Sequence, residues 1–119
     1  MRASLQILLV TSLGALIGCA KYDGKVTLDD VTKLTRVTLR APGSGNSVIG
    51  IKLVSRGQVT GAGRIKLILN GKPYRTEDLE GNVRFTWSGD WYSPLAEVQY
   101  EPQGASGGRI ELHYRFDEL

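Results

Sequence analysis

Several groups of side chains in this 119-residue sequence have the types and spacing that chemistry requires. Gly104-Ala105-Ser106-Gly107-Gly108 spells the Gly-x-Ser-x-Gly pattern of a serine nucleophile, which works at a strand-to-helix turn of a large α/β sheet with His and acid partners. Here the stretch reads as a Gly-rich hairpin loop instead. His113 is the one histidine and lies in the polar register of a strand, beside Glu111 and Arg115. It reads as a surface residue paired with a neighbouring-strand acid such as Glu97 or Glu101, so no catalytic site is expected.

Asp78, Glu80 and Asn82 have the i, i+2, i+4 oxygen spacing that opens a calcium loop, but Gly81 stands two positions too early and no Glu closes the loop. A solvated acidic turn over 77–81 is the better reading. With one Cys and one His, a soft-metal site has too few ligands, so neither a metal nor a cofactor is expected. The aromatic run Phe85-Thr86-Trp87-Ser88-Gly89-Asp90-Trp91-Tyr92-Ser93-Pro94 is the strongest ligand-binding candidate. A flat ring beside acid and hydroxyl groups can stack on the apolar face of a sugar, which nominates Trp87, Asp90, Trp91 and Tyr92. The competing reading makes Trp87 a core residue, because it shares parity with Val83 and Phe85, and makes Trp91 a plug beneath a turn.

Cys19 is the only cysteine and follows an apolar run, Leu5 to Ile17, that is preceded by the single charge of Arg2. Charged, apolar and small residues in that order make an export signal. As a helix the run would reach about 20 Å, short of a hydrocarbon core of about 30 Å, so a stable span is disfavoured. Leu16-Ile17-Gly18-Cys19 resembles the lipobox of bacterial lipoproteins, with Leu16 at the large apolar position, Gly18 at the small one and Cys19 as the thiol. The resemblance covers residues 1–20. It implies a diacylglyceryl group on Cys19, cleavage after Gly18, and an acylated new amine; Ala20, which is not acidic, points to the outer membrane if the cell has two. An uncleaved anchor and a conventionally cleaved secreted chain are the alternatives.

Removing residues 1–18 also removes Arg2, so the formal charge falls from +3 to +2. The basic residues are interleaved with acids along the whole chain, which is no nucleic-acid footprint. An acylated Cys19 leaves no thiol for a disulfide, so packing must stabilise the domain.

From Leu34 onward the hydrophobic period is two. Val37 and Leu39; Ile49, Ile51 and Leu53; Ile65, Leu67 and Leu69; Val83, Phe85 and Trp87; Ala96, Val98 and Tyr100; and Ile110, Leu112, Tyr114 and Phe116 all alternate with polar residues. Asn70-Gly71 marks a type I′ hairpin, Ser55-Arg56-Gly57-Gln58 a second tight turn, and Gly61 and Gly63 a bulge or bend. Residues 41–47 and 102–108 read as looser loops, and Thr27 to Val31 as one helical turn or an edge strand. These features predict an all-β fold: a single antiparallel β-sandwich of seven to eight strands, Ig-like or jelly-roll-like, preceded by a cleaved helical signal peptide. The expected division is 1–18 signal peptide, 19–33 lipid-anchored tether and 34–119 sandwich.

Outward charges suggest one further arrangement. Arg36, Arg40, Lys52, Arg64, Lys66 and Arg84 precede Glu97, Glu101 and Glu111; grouping by sheet would give a basic and an acidic face, whereas cross-strand pairing accounts for them with no partner. Together these observations lead to the expectation of a non-catalytic envelope lipoprotein, held to the membrane by its lipid and acting as a protein-interaction or structural module. The alternative is a glycan- or small-ligand-binding module, and a hydrolase using Ser106 and His113 ranks last. If Trp91 and Tyr92 form an open platform rimmed by Asp90 the glycan reading gains, and if both rings are buried it fails.

Overall fold

The computed structural model describes residues 21–43 and 47–119. Cys19 and the signal segment lie outside the described residues, as do positions 44–46. Six strands follow in order: β1 Gly24–Leu28, β2 Thr35–Arg40, β3 Val48–Leu69, β4 Lys72–Asp90, β5 Leu95–Pro102 and β6 Gly107–Glu118. All pairings are antiparallel.

β3 and β4 are far longer than an ordinary strand of about five or six residues, and their length organises the molecule. The first part of β3, Val48 to Thr60, pairs with β6, and the second, Gly63 to Ile68, pairs with β5; β4 accompanies β3 throughout. Between the two parts the β3–β4 register jumps at Val59/Ala62, leaving Thr60 and Gly61 unmatched. The ribbon folds over there into two layers, one completed by β6 and β1, the other by β5 and β2. The bulge anticipated at Gly61 is therefore the corner of the sandwich. Counting both halves of β3 and β4 gives eight strand segments, within the expected range.

Alternation decides what fills the space between the layers. Ile51, Leu53, Val59, Ile65 and Leu67 of β3 are buried with Leu79, Val83 and Trp87 of β4, Val98 and Tyr100 of β5, and Ile110, Leu112 and Phe116 of β6. Each large apolar side chain contributes about 1.5–3 kcal/mol on burial, which supplies the stability that no disulfide provides. Asn70 and Gly71 take φ of 53° and 78°, the two positive values a type I′ turn requires.

Four local expectations are corrected. Ser55–Gln58 is not a turn; it continues β3, paired on one side with Phe85–Asn82 and on the other with Leu112–Arg109. Gly57 serves close approach there, since a Cβ on it would collide with the Arg109 carbonyl. Residues 77–81 are not a turn either but part of β4, with Leu79 buried opposite Gly63. Residues 102–108 do not close a hairpin, because β5 and β6 pair with different halves of β3. Their loop crosses between the layers, held to the bulge by Gln103 N–H to the Ala62 carbonyl (2.9 Å) and Ser106 N–H to the Thr60 carbonyl (2.9 Å).

The fourth correction concerns the boundary at residue 33. Residues 24–28, expected in the tether, form β1 along the edge of β6, and Val31 is buried. The helical turn at 27–31 does not form; Asp30 Oδ1 accepts the Thr32 N–H (3.0 Å) and turns the chain toward β2.

Candidate functional site

Folding the ribbon over brings the Asn70-Gly71 tip back to the connection between β4 and β5, although the two are about twenty residues apart in sequence. Trp91 closes this end of the sandwich. Its ring is only 3% exposed, its backbone N–H donates to the Ile49 carbonyl (3.3 Å), and its Nε1 donates to the Leu95 carbonyl (2.9 Å). A buried indole that satisfies its own N–H is a structural anchor.

Around this anchor the surface is apolar and aromatic. Tyr74 is 48% exposed and Tyr92 74%, and Leu69 and Leu95 are also open to solvent. The Tyr74 ring stands 6.0 Å from Trp91 at 59°, with the Arg75 guanidinium 6.0 Å from the Tyr74 centroid. Leu69, Tyr74, Trp91 and Tyr92 form the walls of a cavity of about 340 Å³, and Asn70, Asp90 and Ser93 supply its polar groups. A second hollow of about 280 Å³ on the other side of Trp91 is bounded by Thr38, Leu95 and Glu97. Single exposed apolar residues are unremarkable on a domain surface, but Leu69, Tyr74 and Tyr92 around one cavity form a patch.

Of the four nominated binding residues, the structure brings Asp90, Trp91 and Tyr92 to this cavity and removes Trp87. The Trp87 ring is buried, 4.9 Å from Phe85, between the layers. The outcome for the aromatic pair is split, since Trp91 is wall and Tyr92 is platform. Leu69, Asn70 and Tyr74 were not foreseen. The Asn-Gly signal located their turn, but nothing in the sequence placed that turn beside residue 91.

The remaining candidates are dispersed. Ser106 lies in the inter-layer loop, and His113 is well inside β6, on the outer face. Seven residues of extended chain separate them by about 20 Å, so the Ser–His pairing required for acyl transfer is not formed. The acid beside His113 is Glu111 of its own strand, 3.5 Å from Nε2, and not Glu97 or Glu101; its ring lies 5.6 Å from Tyr22. Asp78 accepts Arg64 Nε at 2.7 Å, which engages the first carboxylate of the calcium-like spacing in an ion pair. Among the described residues, no group of three His, Cys, Asp or Glu side chains could hold a metal ion.

No family model matches the sequence, and no curated protein matches it. Among solved structures the chain is similar to PirA, with 14% identity over 81% of this chain and 95% of that one, at a TM-score of 0.55. It is also similar to Aeromonas hydrophila PliG, a periplasmic lysozyme inhibitor of g-type lysozyme, with 11% identity over 82% of this chain and 89% of that one, at a TM-score of 0.53. The carbohydrate-binding module CBM36, in complex with calcium and xylotriose, aligns over 82% of this chain and 90% of its own, with 12% identity and a TM-score of 0.40. At these identities the first two likenesses establish the fold alone.

Proposed function

We propose that this protein is a lipid-anchored module of the bacterial cell envelope that binds a protein partner through the aromatic end of its sandwich. The observation that carries the reading is the exposure of Tyr74 and Tyr92 around a buried, hydrogen-bonded Trp91. Tyrosine offers a large, stiff contact area at small entropic cost and is enriched at the centres of protein interfaces. The rings are held by the hairpin tip and the β4–β5 connection, two segments of one rigid scaffold, and so are organised before any partner arrives. PliG, a protein of similar fold, is an inhibitor of another protein, g-type lysozyme. The anchor in this reading is Cys19, acylated after cleavage at Gly18, with the domain on the outer membrane where the cell has two. The role is non-catalytic.

A second reading has its own support. Tyr92 presents an open ring face beside the Asp90 carboxylate and the Asn70 amide in one cavity, the grouping that stacks on and hydrogen-bonds a sugar. One experiment separates the two. The full-length chain, expressed in a bacterial envelope, carries a photo-crosslinking amino acid at position 92, 74 or 99. The protein reading expects a single adduct of defined mass from positions 92 and 74 and none from position 99. A chain that gives no adduct, yet whose tyrosine fluorescence saturates with an envelope oligosaccharide, replaces it with the glycan reading.

A further inference from the structure

The two outer faces of the sandwich are electrostatically unequal. The layer that begins with β1 carries Lys25, Lys52, Arg56, Arg84, Arg109 and Arg115 outward on its strands, against Asp90, Glu111 and Asp117, with Asp29 beside Arg109 at its edge. The other layer carries four cations, Arg36, Arg40, Arg64 and Lys66, against four carboxylates, Asp78, Glu80, Glu97 and Glu101. On that balanced face the charges pair across strands, Arg64 with Asp78 at 2.7 Å and Lys66 with Glu101 at 3.0 Å. The cross-strand pairing reading therefore describes the second layer, and the alternative grouping into a basic and an acidic face gives way to one basic and one balanced face.

Two like-charge oppositions mark the basic face. Arg56 stands directly across from Arg84 on β4, and Lys52 directly across from Arg115 on β6. Such pairs destabilise a sheet unless an opposite charge lies between or above them. Arg109 has Asp29 at 3.5 Å and Glu111 at 3.8 Å, and Arg115 has Asp117 at 3.0 Å. Lys25, Lys52, Arg56 and Arg84 enter no ion pair among the described residues. Glu111 lies across from Arg56 on β6, which leaves Lys25, Lys52 and Arg84 with no carboxylate directly opposite them among the described residues.

We propose that this face docks on the anionic headgroups of the bilayer to which the chain is tethered. The occupant follows from where the folded domain begins relative to Cys19. β1 starts at Gly24 and belongs to the basic layer, and the five residue steps from Cys19 span at most about 18 Å. An acyl group on Cys19 therefore holds the basic layer close to the headgroups. There each exposed Lys or Arg is drawn to lipid phosphate, with a reach set by a Debye length of about 8 Å at physiological salt. The inference takes its tether from the anchored reading above; the charge asymmetry stands without it.

The test uses the acylated full-length protein reconstituted in vesicles, with a fluorophore at Thr86→Cys on the basic face, Gln99→Cys on the balanced face or Tyr92→Cys at the aromatic end. Retention on pure phosphatidylcholine reads the anchor, and the change in acrylamide quenching when half of that lipid becomes phosphatidylglycerol reads the face. Quenching at residue 86 is expected to fall several-fold on the anionic vesicles while residues 99 and 92 stay accessible. At about 1 M salt, where the Debye length is about 3 Å, the shielding should disappear. Arg56→Glu with Arg84→Glu should abolish it, and Arg36→Glu with Arg40→Glu, the same charge change on the other face, should leave it intact. A chain that washes off phosphatidylcholine but is shielded at residue 86 on anionic vesicles sinks the anchor and keeps the face. Unchanged quenching at residue 86 overturns the proposal. So does shielding at residue 92 in its place, or shielding of residue 86 only by an added soluble anionic polysaccharide.

Discussion

The Tyr100 hydroxyl donates a hydrogen bond of 2.7 Å to the Val31 carbonyl, and both residues are buried. Val31 belongs to the connection between β1 and β2, which passes from one layer to the other, so this bond ties an otherwise irregular segment to the centre of β5. Gly63 makes room for it, since a Cβ there would stand 2.5 Å from the Tyr100 hydroxyl.

Replacing Tyr100 by Phe should therefore cost about 1–2 kcal/mol at neutral pH, because the Val31 carbonyl is left buried without a donor. Burial also raises the Tyr100 pKa above its ordinary value of 10.0. A phenol whose folded pKa is raised contributes its full stability below the unfolded pKa and loses it as pH climbs through the folded one. Denaturant midpoints of wild type and Tyr100→Phe should differ at pH 7 and converge above about pH 10. Curves that stay parallel would contradict the account.

Ser55 is the opposite case. It is fully buried on β3, and its Oγ has no hydrogen-bond partner among the described residues. An unsatisfied buried hydroxyl costs about 1–3 kcal/mol, so Ser55→Ala should raise stability by about 1 kcal/mol and move the thermal midpoint upward. A drop in the midpoint would mean that the hydroxyl is satisfied after all.

Trp91 and Tyr92, adjacent in sequence, should respond to mutation in opposite ways. Trp91→Ala removes the plug of one end and should destabilise the domain by about 3–5 kcal/mol. Tyr92→Ser removes an exposed ring and should change stability by less than about 0.5 kcal/mol. Partner binding should be read from Tyr92→Ser and Tyr74→Ser, since loss of binding in Trp91→Ala reports unfolding. Circular dichroism melts on all three check this before any binding assay.

Cys19→Ser should abolish incorporation of labelled palmitate and move the protein from the membrane fraction to the soluble one. A serine variant that fractionates like wild type would end the anchored reading, while leaving the fold and the aromatic end untouched.

Much of the fold was legible because a strand with one buried face writes a period of two, and residues 37–39, 49–53, 65–69, 83–87, 96–100 and 110–116 all carry it. The errors came from glycines and acids, which mark turns when local and close approaches when the partner is remote. Gly57 reads as a turn because its partner across the sheet, Ile110, is fifty-three positions away and invisible to local pattern. Residues 24–28 read as a tether for the same reason: a short edge strand is held by its partner β6, not by its own propensity.

The sequence by itself determined the strand class, the position of the Asn70-Gly71 hairpin and the thiol at residue 19, since each depends on neighbours within a few residues. Only the tertiary structure decided that β3 and β4 run unbroken through both layers, and hence that Tyr74 meets Trp91, that Trp87 and Trp91 are buried while Tyr92 is not, and that Arg56 faces Arg84. Those facts depend on where the ribbon bends and which strands flank it, a choice made by packing of the whole core and not by the alternation that every strand shares.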